Sequence, residues 1–388
     1  MRHSVAEVER ALRGAVPDRL VGAVRSALRQ QFAAIEAELF LADYAMTVLL
    51  PVDAASAVAS QSVNNSPPGR AFGAQAPHVR SGGPAGTHEV HVPVSVRGDR
   101  LGVLSVTLPG DTQPQEVMAA LEDVAAILGR ELVVAERHTD RYATARRAAR
   151  LTLASEMQWQ LLPGSSLSRP ECTVGGQLEP AYALRGDNFD WSVSSEHLTL
   201  SLTNGMGEGI EAALLTSLAV NALRNGRRAG VSLADQAYLA DQALYGQYGG
   251  AAHVSTLLLR FSLTDGSVEV IDAGSPKAWR MRDGRVEPLP FEAQLPLGMF
   301  EDTHYQTQTF QVLPGDRLLL ASDGVYDVLS AAGERYQERA LANALRSTQL
   351  LPPTQVPQAI LRELEGYRQT TEPDDDAMLV CLDWHGRT

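Results

Sequence analysis

Cysteine is nearly absent: Cys172 and Cys381 are the only two in 388 residues. They supply no disulfide framework and no paired-cysteine metal motif, so the chain reads as one from a reducing compartment, with both thiols packed as small hydrophobes. No Cys/His cluster for haem or an iron–sulfur centre is present either. Long apolar runs are missing too. The opening MRHSVAEVERALRG carries charge where a secretory signal needs an apolar stretch, and no later run approaches a membrane span. The expected location is the cytoplasm, with no membrane partner. Positive charge is also short: 33 Lys and Arg stand against 46 Asp and Glu, for a net charge of -13. That balance disfavours attraction to phosphate backbones, and nucleic acid is not an expected partner.

What the chain does have is apolar residues, 44% of the total, enough for real cores and, at this length, for two or three domains. Leu20, Val24, Leu28, Ile35 and Leu39 recur at spacings of four or seven and predict an amphipathic helix from about Val16 to Phe40. A core strand is predicted at Tyr44 to Leu50, and the Ser/Gly/Pro/Ala-rich stretch from Ala54 to Glu89 reads mostly as loop. His91–Val96, a turn at Arg97-Gly98-Asp99-Arg100, and Leu101–Val106 read as a hairpin, with Gly102 marking a bulge. Gln115 to Val134 returns to helix period, with Val117, Leu121, Val124 and Leu128 on one stripe. A second helical segment runs through Arg146, Arg147 and Arg150 to Leu161-Leu162 and ends at Pro163-Gly164. The segment from about Gln115 to Leu162 carries more apolar surface than one small sheet needs, so a homodimer through it is expected. Tyr44, Met46, Phe72 and His78 are candidates for a ligand pocket, although core and loop roles suit them as well.

The second half is built of hairpins with few long helices. His197–Leu202 alternates strictly, a largely apolar helix spans Ile210 to Leu223, and Val254–Leu263 pairs with Val268–Asp272 across Thr264-Asp265-Gly266. Arg280–Arg282 turns at Asp283-Gly284, Leu318–Ala321 is a buried strand, and Ala377–Leu382 is the last. This pattern predicts antiparallel sheets clad by helices. Acidic or amide clusters interrupt it at Gly186-Asp187-Asn188-Phe189-Asp190, Asn204-Gly205-Met206-Gly207, Ser322-Asp323-Gly324-Val325 and Asp374-Asp375-Asp376. Carboxylates emerging at strand ends suit hard divalent cations, and two such ions about 4 Å apart can activate water for phosphoryl transfer.

In this order, with Ile210-Glu211-Ala212-Ala213-Leu214, Asp272-Ala273-Gly274-Ser275-Pro276, Leu295-Pro296-Leu297-Gly298 and Pro314-Gly315-Asp316 between them, the clusters resemble a known family. It is the PP2C-type metal-dependent serine/threonine phosphatases, in the bacterial branch related to sporulation and stress-response regulators. The resemblance spans about Leu151 to Asp383. The first half looks more loosely like a GAF sensory domain. The resemblance implies an α+β chain: a GAF-like α/β sensor domain at 1–135, a helical connector at 136–164, and an α-β-β-α sandwich at 165–388. It implies Mg2+ or Mn2+, one or two per chain, and a phosphoserine or phosphothreonine substrate on a regulatory protein such as an anti-sigma-factor antagonist. Water would attack phosphorus in line without a covalent intermediate. Carried over by position, Asp187 and the Gly205 carbonyl would ligate one metal, Asp323 and Asp375 the other, and position 204 would supply the bridging carboxylate.

That position is Asn204. An amide brings no charge and bridges two cations poorly. Glu208 stands where the family commonly has His, either as a helix cap or as an auxiliary group reaching the metals through water. Asp190 belongs to the motif but is expected outside the ligand set. The rival to an active phosphatase is therefore a phosphatase-like signalling protein that binds a phosphoprotein or an anti-sigma partner without turnover.

Overall fold

The computed structural model describes residues 2–53, 58–83, 86–148, 152–179, 185–330, 332–337, 339–368 and 375–387. It separates into two compact units, Met1–Arg150 and Leu151–Thr388.

The first unit runs α1 (Arg2–Arg13), α2 (Leu20–Phe32), β1 (Glu36–Ala42), β2 (Val48–Pro51), β3 (Gln61–Ser62), α3 (Pro67–Ala74), β4 (His78–Ser81), β5 (His88–Val96), β6 (Asp99–Leu108), α4 (Pro114–Ala135) and α5 (Arg141–Ala145). Its strands form one antiparallel sheet in the order β3-β2-β1-β6-β5-β4. Strand alternation splits β1 between two cores. Leu39 and Leu41 join Leu12, Leu28 and the α4 stripe Val117, Leu121, Val124 and Leu128. Phe40 and Ala42 face the other way and pack with Met46, Leu49, Phe72 and Val103.

Several expectations are corrected here. The helix predicted to Phe40 stops at Phe32, where Ala33 turns left-handed at φ 52°, and Ile35 and Leu39 belong to the strand region. The strand predicted from Tyr44 begins at Val48. The expected loop from Ala54 to Glu89 contains β3, α3 and β4, the helix being capped by Ser66, whose hydroxyl accepts from the Gly69 N–H at 3.0 Å. The predicted hairpin is present as β5 and β6, with its register shift at Val94/Ser95, beside the pair of Val94 with Gly102. Because the α4 stripe is buried on its own sheet, those four residues are not available to a dimer. Met46 and Phe72 are core, Arg146 stacks over Tyr44 at 5.0 Å, and His78 stacks on His91. None of the four proposed pocket residues lines the cavity of about 950 Å³ bounded by Leu50–Asp53, Thr139–Arg141, Thr144, Ala145 and Arg147.

The second unit runs α6 (Leu153–Leu161), β7 (Ser166–Ser168), β8 (Cys172–Glu179), β9 (Asp187–Val193), β10 (His197–Gly205), α7 (Gly209–Arg228), α8 (Leu233–Tyr248), β11 (Val254–Ser262), β12 (Ser267–Ala273), β13 (Lys277–Arg282), β14 (Arg285–Pro288), β15 (Gln308–Gln311), β16 (Arg317–Ala321), α9 (Asp323–Tyr326), α10 (Ala340–Ser347), α11 (Val356–Tyr367) and β17 (Ala377–Trp384). Helices α5 and α6 replace the single helical connector expected before Pro163. Tyr142 of α5 is buried in the first unit's core, and Ala154 of α6 packs on Ala213 of α7. Leu151, within the segment expected to form a homodimer, lies outside the described residues.

Two antiparallel sheets, β15-β12-β11-β10-β9 and β14-β13-β16-β17-β8-β7, face each other. Phe189, Leu200, Leu202 and Leu259 from one interlock with Val174, Leu318, Leu320 and Val380 from the other. Helices α7 and α8 cover the outer face of the first sheet, and α9, α10 and α11 that of the second. The result is the predicted α-β-β-α sandwich. Among the described residues no helix is long and apolar enough to cross a membrane.

Candidate metal centre

The strands bring the interrupted clusters together at their ends. Asp187 opens β9 and lies directly opposite Asn204 near the end of β10. Asp323 follows β16, and Asp375 and Asp376 precede β17, which pairs with β16. Close approach here requires glycine. A Cβ on Gly324 would lie 2.0 Å from the Asp376 carbonyl oxygen, and one on Gly205 would lie 2.3 Å from the Thr216 hydroxyl.

Asp187 is 1% exposed, and neither of its carboxylate oxygens has a hydrogen-bond partner. Burial pushes its pKa well above the usual range, and the charges of Asp376, Asp323 and Asp375 push further. The nearby Ser322 hydroxyl opposes that shift, but its hydrogen bond goes to the Asp376 carbonyl oxygen at 3.4 Å. Burial also raises Asp323, and burial followed by the Asp323 charge pushes Asp375 up to about 6. A group of carboxylates that each resist ionisation is what a bound cation would relieve.

Asp376 has a different task from its neighbour. Its buried Oδ2 accepts from the backbone N–H groups of Arg185, Gly186 and Asp187 at 2.9, 3.1 and 3.3 Å, fixing the turn that presents Asp187. Gln158 of α6 completes this cradle, donating its side-chain N–H to the Asp187 carbonyl and to Asp376 Oδ2. Thr216 of α7 donates to the Gly186 carbonyl at 2.7 Å. Sequence reasoning missed Gln158, Thr216 and this role of Asp376, since nothing local marks them. The third member of the triplet, Asp374, lies outside the described residues.

At Asn204 the departure from the pattern of the resembled family takes a definite geometry. Its Nδ2 donates to Asp323 Oδ1 at 2.6 Å. Only the NH2 end of an amide can satisfy a carboxylate, so a neutral donor is turned toward the group that a bridging anion would have left for a cation.

Asp190 and Glu208, the possible auxiliary residues, have surroundings of their own. Asp190 points to the opposite face of β9 from Asp187, as strand parity requires over three residues. It is 3% exposed and paired with Arg224 and Arg227 of α7 at 2.8 Å each, so it ties strand to helix. Glu208 occupies the residue before α7 but makes no capping hydrogen bond, and its side chain is exposed.

Among the described residues, no three His, Cys, Asp or Glu side chains converge as a ready-made metal cage. The residues present nevertheless fit one hard divalent cation. Asp187 offers two buried, unpartnered oxygens, and Asp323 and Asp375 add carboxylates within electrostatic range. Their fit to a bridged pair is poorer, because Asn204 contributes no charge.

Comparison with known proteins places this geometry. The second unit resembles the SiaA-PP2C domain of Pseudomonas aeruginosa, with TM-score 0.52 and 21% identity over 60% of this chain and 94% of that one. It also resembles a structure holding the RsbU and RsbW domains of Rv1364c from Mycobacterium tuberculosis, with TM-score 0.50 and 22% identity over 56% of this chain and 61% of that one. The second unit has a PP2C-type phosphatase fold. A family model described as stage II sporulation protein E matches residues 194–385 of this PP2C-type unit. A curated relative, phosphoserine phosphatase RsbP of Bacillus subtilis, is 24% identical over 228 residues, which is 56% of this chain and 55% of that protein. The chain thus spans about half the length of that relative.

Proposed function

We propose that the second unit is a Mg2+- or Mn2+-dependent phosphatase acting on phosphoserine or phosphothreonine in a regulatory protein such as an anti-sigma-factor antagonist. The observation that carries the reading is Asp187: a fully buried carboxylate with two unpartnered oxygens, within electrostatic reach of Asp323 and Asp375 in a PP2C-type fold. Asp187, Asp323 and Asp375, with the Gly205 carbonyl, would hold the ion. When bound, the ion would supply positive charge to the phosphoryl oxygens and acidify water. Asp376 and Gln158 hold the Asp187 turn in place, and Asn204 orients Asp323. The six-stranded antiparallel sheet of the first unit, with helices on both faces, supports a GAF-like sensor that biases this unit between states.

One observation favours a second reading. The Asn204–Asp323 hydrogen bond substitutes a neutral donor for a bridging anion, which suits a protein that binds a phosphoprotein with little or no turnover. Phosphate release from a phosphoserine peptide and from p-nitrophenyl phosphate in Mn2+, compared with Asp323→Ala, decides between them. Turnover lost in the variant supports the enzyme; no turnover in the wild type on either substrate overturns it.

A further inference from the structure

Lys277 is the only lysine of the chain; the other 32 of its 33 basic Lys and Arg residues are arginine. It opens β13, pairs in register with Ala321, and so lies two residues from Asp323 across the ladder. Its side chain is exposed, and the ammonium sits 4.3 Å from the centroid of the Tyr326 ring. That ring belongs to the same short helix as Asp323, and its hydroxyl, 2.9 Å from the Ser275 hydroxyl, feels the charges of Asp323, Asp327 and Asp187. Lys277 thus stands at the rim of the carboxylate cluster on an aromatic platform, and its charge also reaches Asp272, where it opposes the upward push of burial on that carboxyl. The other cation at the cluster, Arg185, is 3.9 Å from Asp375.

A phosphate monoester is a dianion, and here it must approach several carboxylates whose bridging position is neutral. It needs a cation that is not already spent on them. A compact ammonium with three donors, resting on a π face and open to solvent, meets that need. We propose that Lys277 binds the phosphoryl group of the substrate at this centre, an inference that rests on the phosphatase reading for its substrate class.

A single lysine makes the test clean. The full chain in Mn2+ is acylated with an amine-directed reagent, and modification of Lys277 is followed by peptide mass spectrometry with inorganic phosphate or with chloride at equal ionic strength. At phosphate about ten times its dissociation constant, labelling should slow about tenfold, because only the unliganded fraction reacts. Independently, Lys277→Gln should weaken inhibition by phosphate and raise KM by about tenfold or more, the effect of one lost charge-assisted hydrogen bond, while Lys277→Arg restores much of it. Unchanged labelling with phosphate, together with an unchanged inhibition constant in Lys277→Gln, overturns the proposal; if hydrolysis persists in that case, the phosphatase reading stands without it. Protection of Lys277 in a chain that shows no hydrolysis keeps the phosphate site and removes the phosphatase reading.

Discussion

Replacing Asn204 by Asp tests the centre most directly, because the structure assigns opposite signs to the effect with and without metal. In the absence of a cation the substitution removes the 2.6 Å donor to Asp323 and places a second carboxylate against it, beside the buried Asp187. The lost bond to a charged acceptor is worth about 1.5–3 kcal/mol. Two unit charges about 4 Å apart repel by about 4 kcal/mol at an effective dielectric near 20, an upper bound because one carboxyl will take up a proton. A net loss of about 3 kcal/mol lowers Tm by about 6–12 °C for a unit of this size. With Mn2+ the new anion neutralises the cation it faces, and if affinity rises so that free metal reaches about 100 times its dissociation constant, binding returns about 2.7 kcal/mol. Thermal unfolding of wild type and Asn204→Asp, each in EDTA and in a Mn2+ series, reads both effects, and calorimetric titration should move stoichiometry from about one ion toward two. An equal Tm for the two proteins in EDTA, or a variant that binds Mn2+ no better than the wild type, would refute this account of the centre.

Asp190→Ala strands two half-buried arginines and should cost about 3 kcal/mol in denaturant unfolding, with Mn2+ affinity nearly unchanged; a large loss of affinity would return Asp190 to the metal environment. Gly324→Ala forces a Cβ toward the Asp376 carbonyl and should destabilise by about 2 kcal/mol or more while weakening Mn2+ binding, so a neutral Gly324→Ala would show that the close approach of α9 to the Asp376 carbonyl does not constrain the site. Gln158→Leu should loosen the Asp187 turn and cost about 1–3 kcal/mol, read by unfolding and by a weakened Mn2+ titration. The raised carboxylates set a pH dependence: with the Asp375 pKa near 6 against an ordinary value of 3.8, the folded protein binds more protons than the unfolded one between those values. Metal-free stability from this group therefore falls as pH rises through that window, while Mn2+ affinity rises because the competing proton leaves. A Mn2+ titration series from pH 5 to 8 that shows no such rise would remove the proton competition.

What the sequence determined by itself is local in origin. The Asp283-Gly284 turn works because both residues take positive φ, 50° and 74°, and the flanking strands pair as predicted. Strict alternation in His197–Leu202 likewise placed Leu198, Leu200 and Leu202 between the sheets, since one buried face tolerates no slip of register. The order of carboxylates at strand ends was legible for the same reason, and so was the oddity of Asn204. Ile35 and Leu39 were read as helix because a spacing of four is also a multiple of two, so the same pair fits a strand, and only the left-handed turn at Ala33 decided it. Everything that depends on distant partners was left to the tertiary structure. Asp190 and Asp187 look alike in one short motif, yet the pleat sends one to two arginines of α7 and the other into the gap between the sheets. Asp375 and Asp376 are adjacent, yet packing alone made one a half-exposed carboxylate with a raised pKa and the other a buried acceptor for three backbone N–H groups and Gln158. Those partners are 189 to 218 positions away in the chain; a local pattern fixes which way a side chain leaves the backbone, and only packing decides what it meets there.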